Sequence, residues 1–397
     1  MKTTYDLIVL GAGPAGLTAA GAAVELGRRV LVLEKSPRLA TKLLMAGGGK
    51  GNVTNTKVAV SDYVGENPSF AAEALGRFTP KRLLRRLAEA GIALEEREHG
   101  RIFCARSAQD VLDMLIAALP VERCRIVRDC RISGVEFERG IFLVRAGERV
   151  FKAPKLIVAT GGPAWPQCGA DDSGLQLMRK FGHSVVPARP VLAPFVLPPD
   201  SPLADLAGIS ALARVGCDLP GTPEFMEPVL FTHKGLSGPA ILQISCYWRK
   251  NAALLLDFLP NENMAALLDN AVGGATPQSI LSHLLPDRLC RALLPLQLAT
   301  RRAAELSRKD RLLIAAAVHK CNVTPLCTEG LSRAEAAAGG VDTSEVEPAT
   351  MRSKLVPGLF FCGEILDITG RLGGYNLHWA WASGQLAGEA AAGEGKP

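Results

Sequence analysis

The residues whose spacing points most directly to chemistry lie between Asp6 and Glu34, in DLIVLGAGPAGLTAAGAAVELGRRVLVLE. An apolar run, Leu7 to Leu10, leads straight into Gly11-x-Gly13-x-x-Gly16. A small-residue helical stretch follows and is closed by Gly27, and a second apolar run from Val30 ends on Glu34. Gly11 suits a sharp strand-to-helix turn, Gly13 lets the backbone approach a pyrophosphate, and Gly16 lets helix and strand pack closely. The whole turn, Gly11-Ala12-Gly13-Pro14-Ala15-Gly16, is therefore expected to present the amides and positive dipole end of a helix N-terminus to two phosphates. Glu34 stands where a carboxylate accepts both ribose hydroxyls, which disfavours a 2′-phosphate. Strand, glycines, helix and acid fall in register, and the reading is a dinucleotide site.

Two later segments favour FAD over NAD. One is the strand LIVATGG (Leu156 to Gly162), whose glycines suit a chain crossing back near the pyrophosphate loop. The other, FFCGEILDITGRLGGYNLHWAWASGQLAG, reads as a strand, an acidic turn at Gly363-Glu364, a glycine pair and a helix. A helix starting at Gly373-Gly374-Tyr375-Asn376 is able to aim its amides at the pyrimidine edge of a flavin and stabilise the anionic reduced ring. Glu364 or Asp367 would hold ribityl or pyrophosphate-side hydroxyls. Trp379 and Trp381 are read as core of that helix. No second GxGxxG follows a strand, so one dinucleotide is held tightly and a dedicated nicotinamide domain is missing.

These elements need a scaffold larger than one ordinary core, and 397 residues suffice for two or three domains. Hydrophobic residues at 48% against 21% charged exclude a disordered chain. The N-terminal apolar run is short and carries the loop glycines, so it does not read as a signal peptide, and no apolar stretch approaches the roughly 20 residues of a membrane span. The expected location is the cytoplasm. Ten scattered cysteines with no C-x-x-C argue against a zinc ribbon or a redox dithiol, and no metal is expected. Short β segments run from Val121 to Ala159. Prolines crowd between Pro187 and Pro202, which marks a domain crossover. The expected organisation is a discontinuous dinucleotide domain (1–189 and 336–397), a β-rich insert (190–261) and a helical insert (262–335). An Ala/Gly-rich C-terminal tail is expected to fray. Charge is uneven: between Leu285 and Lys320 eight basic residues (Arg288, Arg291, Arg301, Arg302, Arg308, Lys309, Arg311, Lys320) face three acidic ones. Such a stretch is either a solvated helix face or a surface that meets a polyanion, RNA being the natural candidate.

At this point the chain resembles a known family, the HI0933/BaiN-like bacterial flavoproteins, over essentially its whole length. The resemblance rests on GAGPAGL, GGGKGNVTN (Gly47 to Asn55), FTHKGLSGP (Phe231 to Pro239), AGGV (Ala338 to Val341), TMRSK (Thr350 to Lys354) and GEILDITGRLGGYNLHWAWASG. It implies an α/β fold: a Rossmann-like, glutathione-reductase-like FAD domain interrupted by a β-barrel-like and a helical domain. Carried over by position, it implies FAD contacts from the Gly11–Gly16 turn, Glu34, Lys35, Lys42, Leu43, the Gly49-Lys50-Gly51-Asn52 loop and the backbone of Ile132. Further contacts would come from Gly161, Gly363, Glu364 or Asp367, Gly374, Tyr375, Asn376 and Leu377. Lys50-Gly51 departs from the family's usual Arg-Cys, and lysine keeps the charge but loses bidentate geometry.

The resemblance further implies NAD(P)H-dependent reduction of an activated C=C bond, either in a small enone or in uridine of ribosomal RNA, giving dihydrouridine. Such a step needs an acid across the substrate from the flavin. The candidates are His233, Lys234 and Ser237, Tyr375 and His378, and Lys50. Two other readings remain open: a flavin amine oxidase of the aminoacetone-oxidase kind using O₂, and a flavin-bound RNA or ribosome-associated protein without turnover. The sequence leaves the oligomeric state undetermined.

Overall fold

The computed structural model describes residues 4–393. The chain forms two compact units, one running to Arg189 and resuming at Ala336, the other spanning Pro190–Glu335.

The first unit is built on strands β1 (Leu7–Leu10), β2 (Val30–Leu33), β3 (Cys124–Val127), β4 (Lys155–Val158) and β5 (Leu359–Phe361). They pair in the order β5-β4-β1-β2-β3, all parallel. Antiparallel strands Arg352–Ser353 and Val346–Glu347 extend the β5 edge. β1, β2 and β5 are buried at every position, as expected for strands covered on both faces. Strand order reverses between β1 and β4, and the crevice at the carboxyl ends beside such a reversal is where open α/β sheets bind ligands. Gly11, Glu34 and Ala159 directly follow β1, β2 and β4.

Helix α1 (Pro14–Glu25) follows β1, and helix α2 (Tyr375–Gly393) closes the unit. Their contact explains the composition of both. A methyl built on Gly384 would lie 2.5 Å from the carbonyl oxygen of Ala15, and one on Gly388 would lie 2.2 Å from that of Ala19. Small residues thus let α2 pin the helix that begins at the glycine turn. Trp379 and Trp381 are core, as read from the sequence, at 1% and 2% exposure. Their indole N–H groups donate to the carbonyls of Gly363 and Val53. α2 carries the Ala/Gly-rich tail in helical form to Gly393; the last four residues lie outside the described residues.

The second unit holds a seven-stranded sheet of antiparallel pairs that runs from Cys321–Val323 through Leu254–Asp257, Ser210–Cys217, Phe225–Phe231, Gly235–Ser237 and Phe195–Val196 to Cys327–Thr328. Residues 262–335 are therefore not a body of their own. Two strands from that stretch join the sheet, and Leu281, Leu289, Ile314 and Val318 share one core with Phe231 and Leu256. These helices are short, the longest being Arg308–His319, and each buries its apolar side in that shared core.

Candidate functional site

The three fingerprint glycines are not equivalent. Gly11 has φ +101°, and a methyl there would sit 2.4 Å from the carbonyl oxygen of Ala159. A methyl on Gly16 would sit 2.0 Å from the carbonyl oxygen of Gly11. Both positions are closed by the protein's own backbone. Gly13 has extended φ/ψ (−78°, 179°) and nothing within 4 Å of an added methyl. No side chain caps α1, and Pro14 occupies its first turn, so the amides there are left for an outside acceptor. Gly161, at φ +73°, likewise borders open space. The turn is a cradle whose floor is packed and whose mouth is clear.

Glu34 is buried beside this mouth. One carboxylate oxygen accepts from the Ala12 N–H at 2.7 Å and the other from the Ser36 N–H at 2.8 Å. The acid therefore fixes the glycine turn to the end of β2, and each oxygen keeps capacity for a further donor. Ala12 takes its place in the site through that amide. Cys130 N–H donates to the Glu34 carbonyl, which draws the segment leading to half-buried Ile132 alongside. Lys35 does not point to an open anion site: its ammonium pairs with Asp171 at 2.7 Å.

Burial separates the two acids that the sequence left as alternatives. Asp367 is 3% exposed, and its oxygens accept from the Glu66 and Gly339 amides at 2.8 and 3.0 Å. Desolvation raises its pKa. It is a strut joining distant backbone segments. Glu364 lies beside Gly162, pairs with Lys42 at 2.7 Å and accepts from the Ala337 amide at 3.0 Å. Gly363 meets α1 directly, since a methyl there would lie 2.8 Å from the Ala15 Cβ. The Asn376 side-chain amide pairs with Gly370, donating to its carbonyl and accepting its N–H, both at 2.8 Å. It closes the loop before α2.

The glycine loop folds as a tight coil, with Gly47, Gly48, Gly49 and Gly51 all at positive φ. Leu43 is buried beneath it, and Gly51 faces Ala108, Leu43 and Val53. The Asn52 carboxamide oxygen accepts from the Gly374 N–H at 3.0 Å, tying this loop to the start of α2. The Lys50 ammonium pairs with Glu95 at 3.2 Å. Glu95 also holds Arg97, and the two cations, Arg97 first, bring its pKa down to about 2. Lys50 thus belongs to a surface ion-pair network, a poor position for a proton donor.

Tyr375 opens α2 and is largely buried. The Tyr63 hydroxyl donates to its carbonyl at 3.0 Å, and the two rings meet edge-on. Arg371 packs over the Tyr375 ring and pairs with buried Asp62. Burial first, then the Asp62 carboxylate, raises the Tyr375 pKa, with Arg371 and Arg101 pulling the other way. The phenol is therefore protonated at neutral pH and flanked by cations. Local sequence gave no signal for the Asp62–Arg371 pair, whose members are 309 residues apart. His378 is fully buried between the Thr54 hydroxyl (2.9 Å) and the Phe78 carbonyl (3.0 Å). Burial lowers its pKa to about 4, so it is a neutral packing residue. His233, Lys234 and Ser237 lie in the second unit, where His233 is exposed and Lys234 pairs with Glu329 at 3.4 Å. Leu377 is half-buried against the first unit's core.

A family model described as "HI0933-like protein Rossmann domain" matches residues 5–390. The chain is 38% identical to the "Ribosomal RNA dihydrouridine synthase" of Escherichia coli (strain K12), over 96% of both chains. It is 34% identical to the "3-dehydro-bile acid delta(4,6)-reductase" of Clostridium scindens, over 97% of this chain and 98% of that one. Among solved structures, the Sdh1 complex of Mycobacterium smegmatis in the apo form covers 98% of this chain and 68% of its own, with a TM-score of 0.50 at 18% identity, a likeness of fold. Match and fold agree from end to end, and the chain belongs to the HI0933-like family.

Proposed function

We propose that this protein is an FAD-dependent oxidoreductase that reduces an activated C=C bond, with uridine in ribosomal RNA as its substrate. The observation that carries the cofactor is the open mouth at Gly13 beside the buried Glu34 carboxylate. A dinucleotide pyrophosphate fits the uncapped start of α1, and ribose hydroxyls fit the remaining acceptor capacity of Glu34. Gly161 and the Lys42–Glu364 pair would border the same ligand, and the start of α2 at Gly374, Tyr375 and Leu377 would meet its ring end. FAD, when bound, supplies hydride transfer to the substrate. NADH or NADPH is the electron source in this reading.

In this reading Tyr375 delivers the accompanying proton. It is protonated at neutral pH, and the Arg371 and Arg101 charges offset part of the cost that burial and Asp62 impose on the phenolate left after transfer. Arg371 in turn is oriented by Asp62. The names of the two relatives both describe reduction of a ring double bond, and the higher identity to the RNA enzyme favours uridine over a steroid-type enone. The test is to incubate the holoprotein with NADH or NADPH and ribosomal RNA free of dihydrouridine, then analyse the nucleosides by mass spectrometry. Donor-dependent dihydrouridine is the expected result. Reduction of enones alone would reassign the substrate, and peroxide release from primary amines without any reduction would replace the reductase with an oxidase.

A further inference from the structure

The structure divides the basic stretch of the second unit into cations that build the fold and cations that do not. Arg311 pairs with Asp269 and donates to the Ala303 carbonyl. Arg301 pairs with Asp310 at 3.5 Å, Arg288 binds the carbonyls of Asp205 and Ala207, and Arg291 binds that of Asp287. These four are structural. Arg302, Arg308, Lys309 and Lys320 are exposed, and among the described residues none of them makes an ion pair or a side-chain hydrogen bond.

The placement of Arg308 and Lys309 opposes local stability. Arg308 and Lys309 occupy the first turn of the twelve-residue helix Arg308–His319, where the helix dipole disfavours positive charge. The helix N-terminus is capped from within, Ser307 and Asp310 each accepting the other's amide. One turn further along, at i+4 from each cation, Leu312 and Leu313 are 59% and 48% exposed. Lys320 ends the same stretch. Asp310 in the same turn offsets part of this charge, but a helix stabilised for its own sake would not add two cations there or expose these leucines.

We infer that this helix face, with Arg302 beside its start, docks the phosphate backbone of the RNA substrate. The leucines would contact sugar and base surfaces between the phosphates. The inference rests on the reading of RNA as substrate. Backbone contacts of this kind position a nucleic acid without selecting its sequence, which leaves the choice of uridine to the catalytic site. Four phosphate contacts predict a log–log salt slope of about −2.8 for single-stranded RNA, or roughly fifty-fold weaker binding between about 50 and 200 mM salt.

The experiment measures binding of the holoprotein to a fluorophore-labelled, uridine-containing ribosomal RNA hairpin by anisotropy, across a salt series. The comparison is R302E/R308E/K309E, with K309A as the milder variant. The expected result is that the triple variant binds roughly tenfold or more weakly, with a slope shallower by about 2, and K309A by about 0.7. Flavin reduction by NAD(P)H should stay as in the wild type, and thermal stability should not fall, since acids suit the first turn of the helix. Equal RNA affinity and slope in all three proteins, with dihydrouridine still formed, would overturn the docking face and leave the RNA reading standing. Loss of binding to ribosomal particles with unchanged affinity for naked RNA would assign the face to protein and also overturn it. A wild-type protein that neither binds nor modifies RNA would overturn the substrate reading, and this inference with it.

Discussion

Substituting each fingerprint glycine by alanine should separate the ligand's glycine from the fold's. Gly13 has backbone angles open to any residue and no atom within 4 Å of the new methyl. G13A should leave the apoprotein as stable as wild type or slightly more so, by about 0.4–1 kcal/mol, since alanine restricts the unfolded chain. In the complex the methyl stands where the pyrophosphate must approach, and overpacking of that kind costs about 1–3 kcal/mol, or roughly 5- to 150-fold in FAD affinity. G16A is the opposite case. Its methyl would meet the Gly11 carbonyl oxygen at 2.0 Å, a backbone contact with no side chain to yield. It should cost several kcal/mol before any ligand is added, with a Tm about 2–4 °C lower per kcal/mol. Apoprotein melting by circular dichroism and FAD titration by fluorescence quenching give the two readouts. The reasoning fails if G13A binds FAD like wild type, or if its apoprotein melts as early as that of G16A.

Other substitutions carry equally definite expectations. E34Q replaces an oxygen that accepts from Ala12 or Ser36 with an amino group, losing about 1.5–3 kcal/mol of charge-assisted bonding, and should weaken FAD binding roughly ten- to a hundred-fold by titration. His378 titrates at about 4 when folded and near ~6.5 when unfolded. Its stabilisation is complete above the unfolded value and is lost as pH falls toward 4, on the order of 3 kcal/mol, so the Tm of H378Q should depend less on pH across that window than wild type. G51C meets φ +61° and an Ala108 Cβ at 3.0 Å, and should lower the Tm by the equivalent of about 1–3 kcal/mol. Y375F should slow substrate reduction while leaving the rate of flavin reduction by NAD(P)H unchanged in stopped-flow measurements, and equal loss in both would remove the phenol from the proton step.

The features readable in the sequence are those whose partners are close in the chain. Strand, glycine turn, helix and Glu34 follow one another without interruption, and the structure sets Glu34 against Ala12, 22 residues away. The two tryptophans were legible because a helix rich in small and apolar residues has to be buried. Which of Glu364 and Asp367 faces outward was not legible, because both are acids in one turn and only burial separates them. The residues around Tyr375 were hidden for a related reason: Asp62 meets Arg371 only after the sheet has brought the ends of the unit together. Lys35 and Lys50, which the resemblance puts among the FAD contacts, have acid partners in Asp171 and Glu95 that composition alone could not match to them. In the second unit the helical character of 262–335 was legible, whereas the dependence of these helices on a sheet shared with Cys321–Val323 and Cys327–Thr328 was not.

The most direct test of the account is the identity of the small molecule released when the purified protein is denatured, measured by mass spectrometry and absorbance against protein concentration. The account predicts FAD, one per chain, lost from E34Q and G13A under conditions where the wild type retains it. Release of NAD(P) in its place, or FAD retained equally by all three proteins, would contradict the assignment of the Gly13–Glu34 cradle.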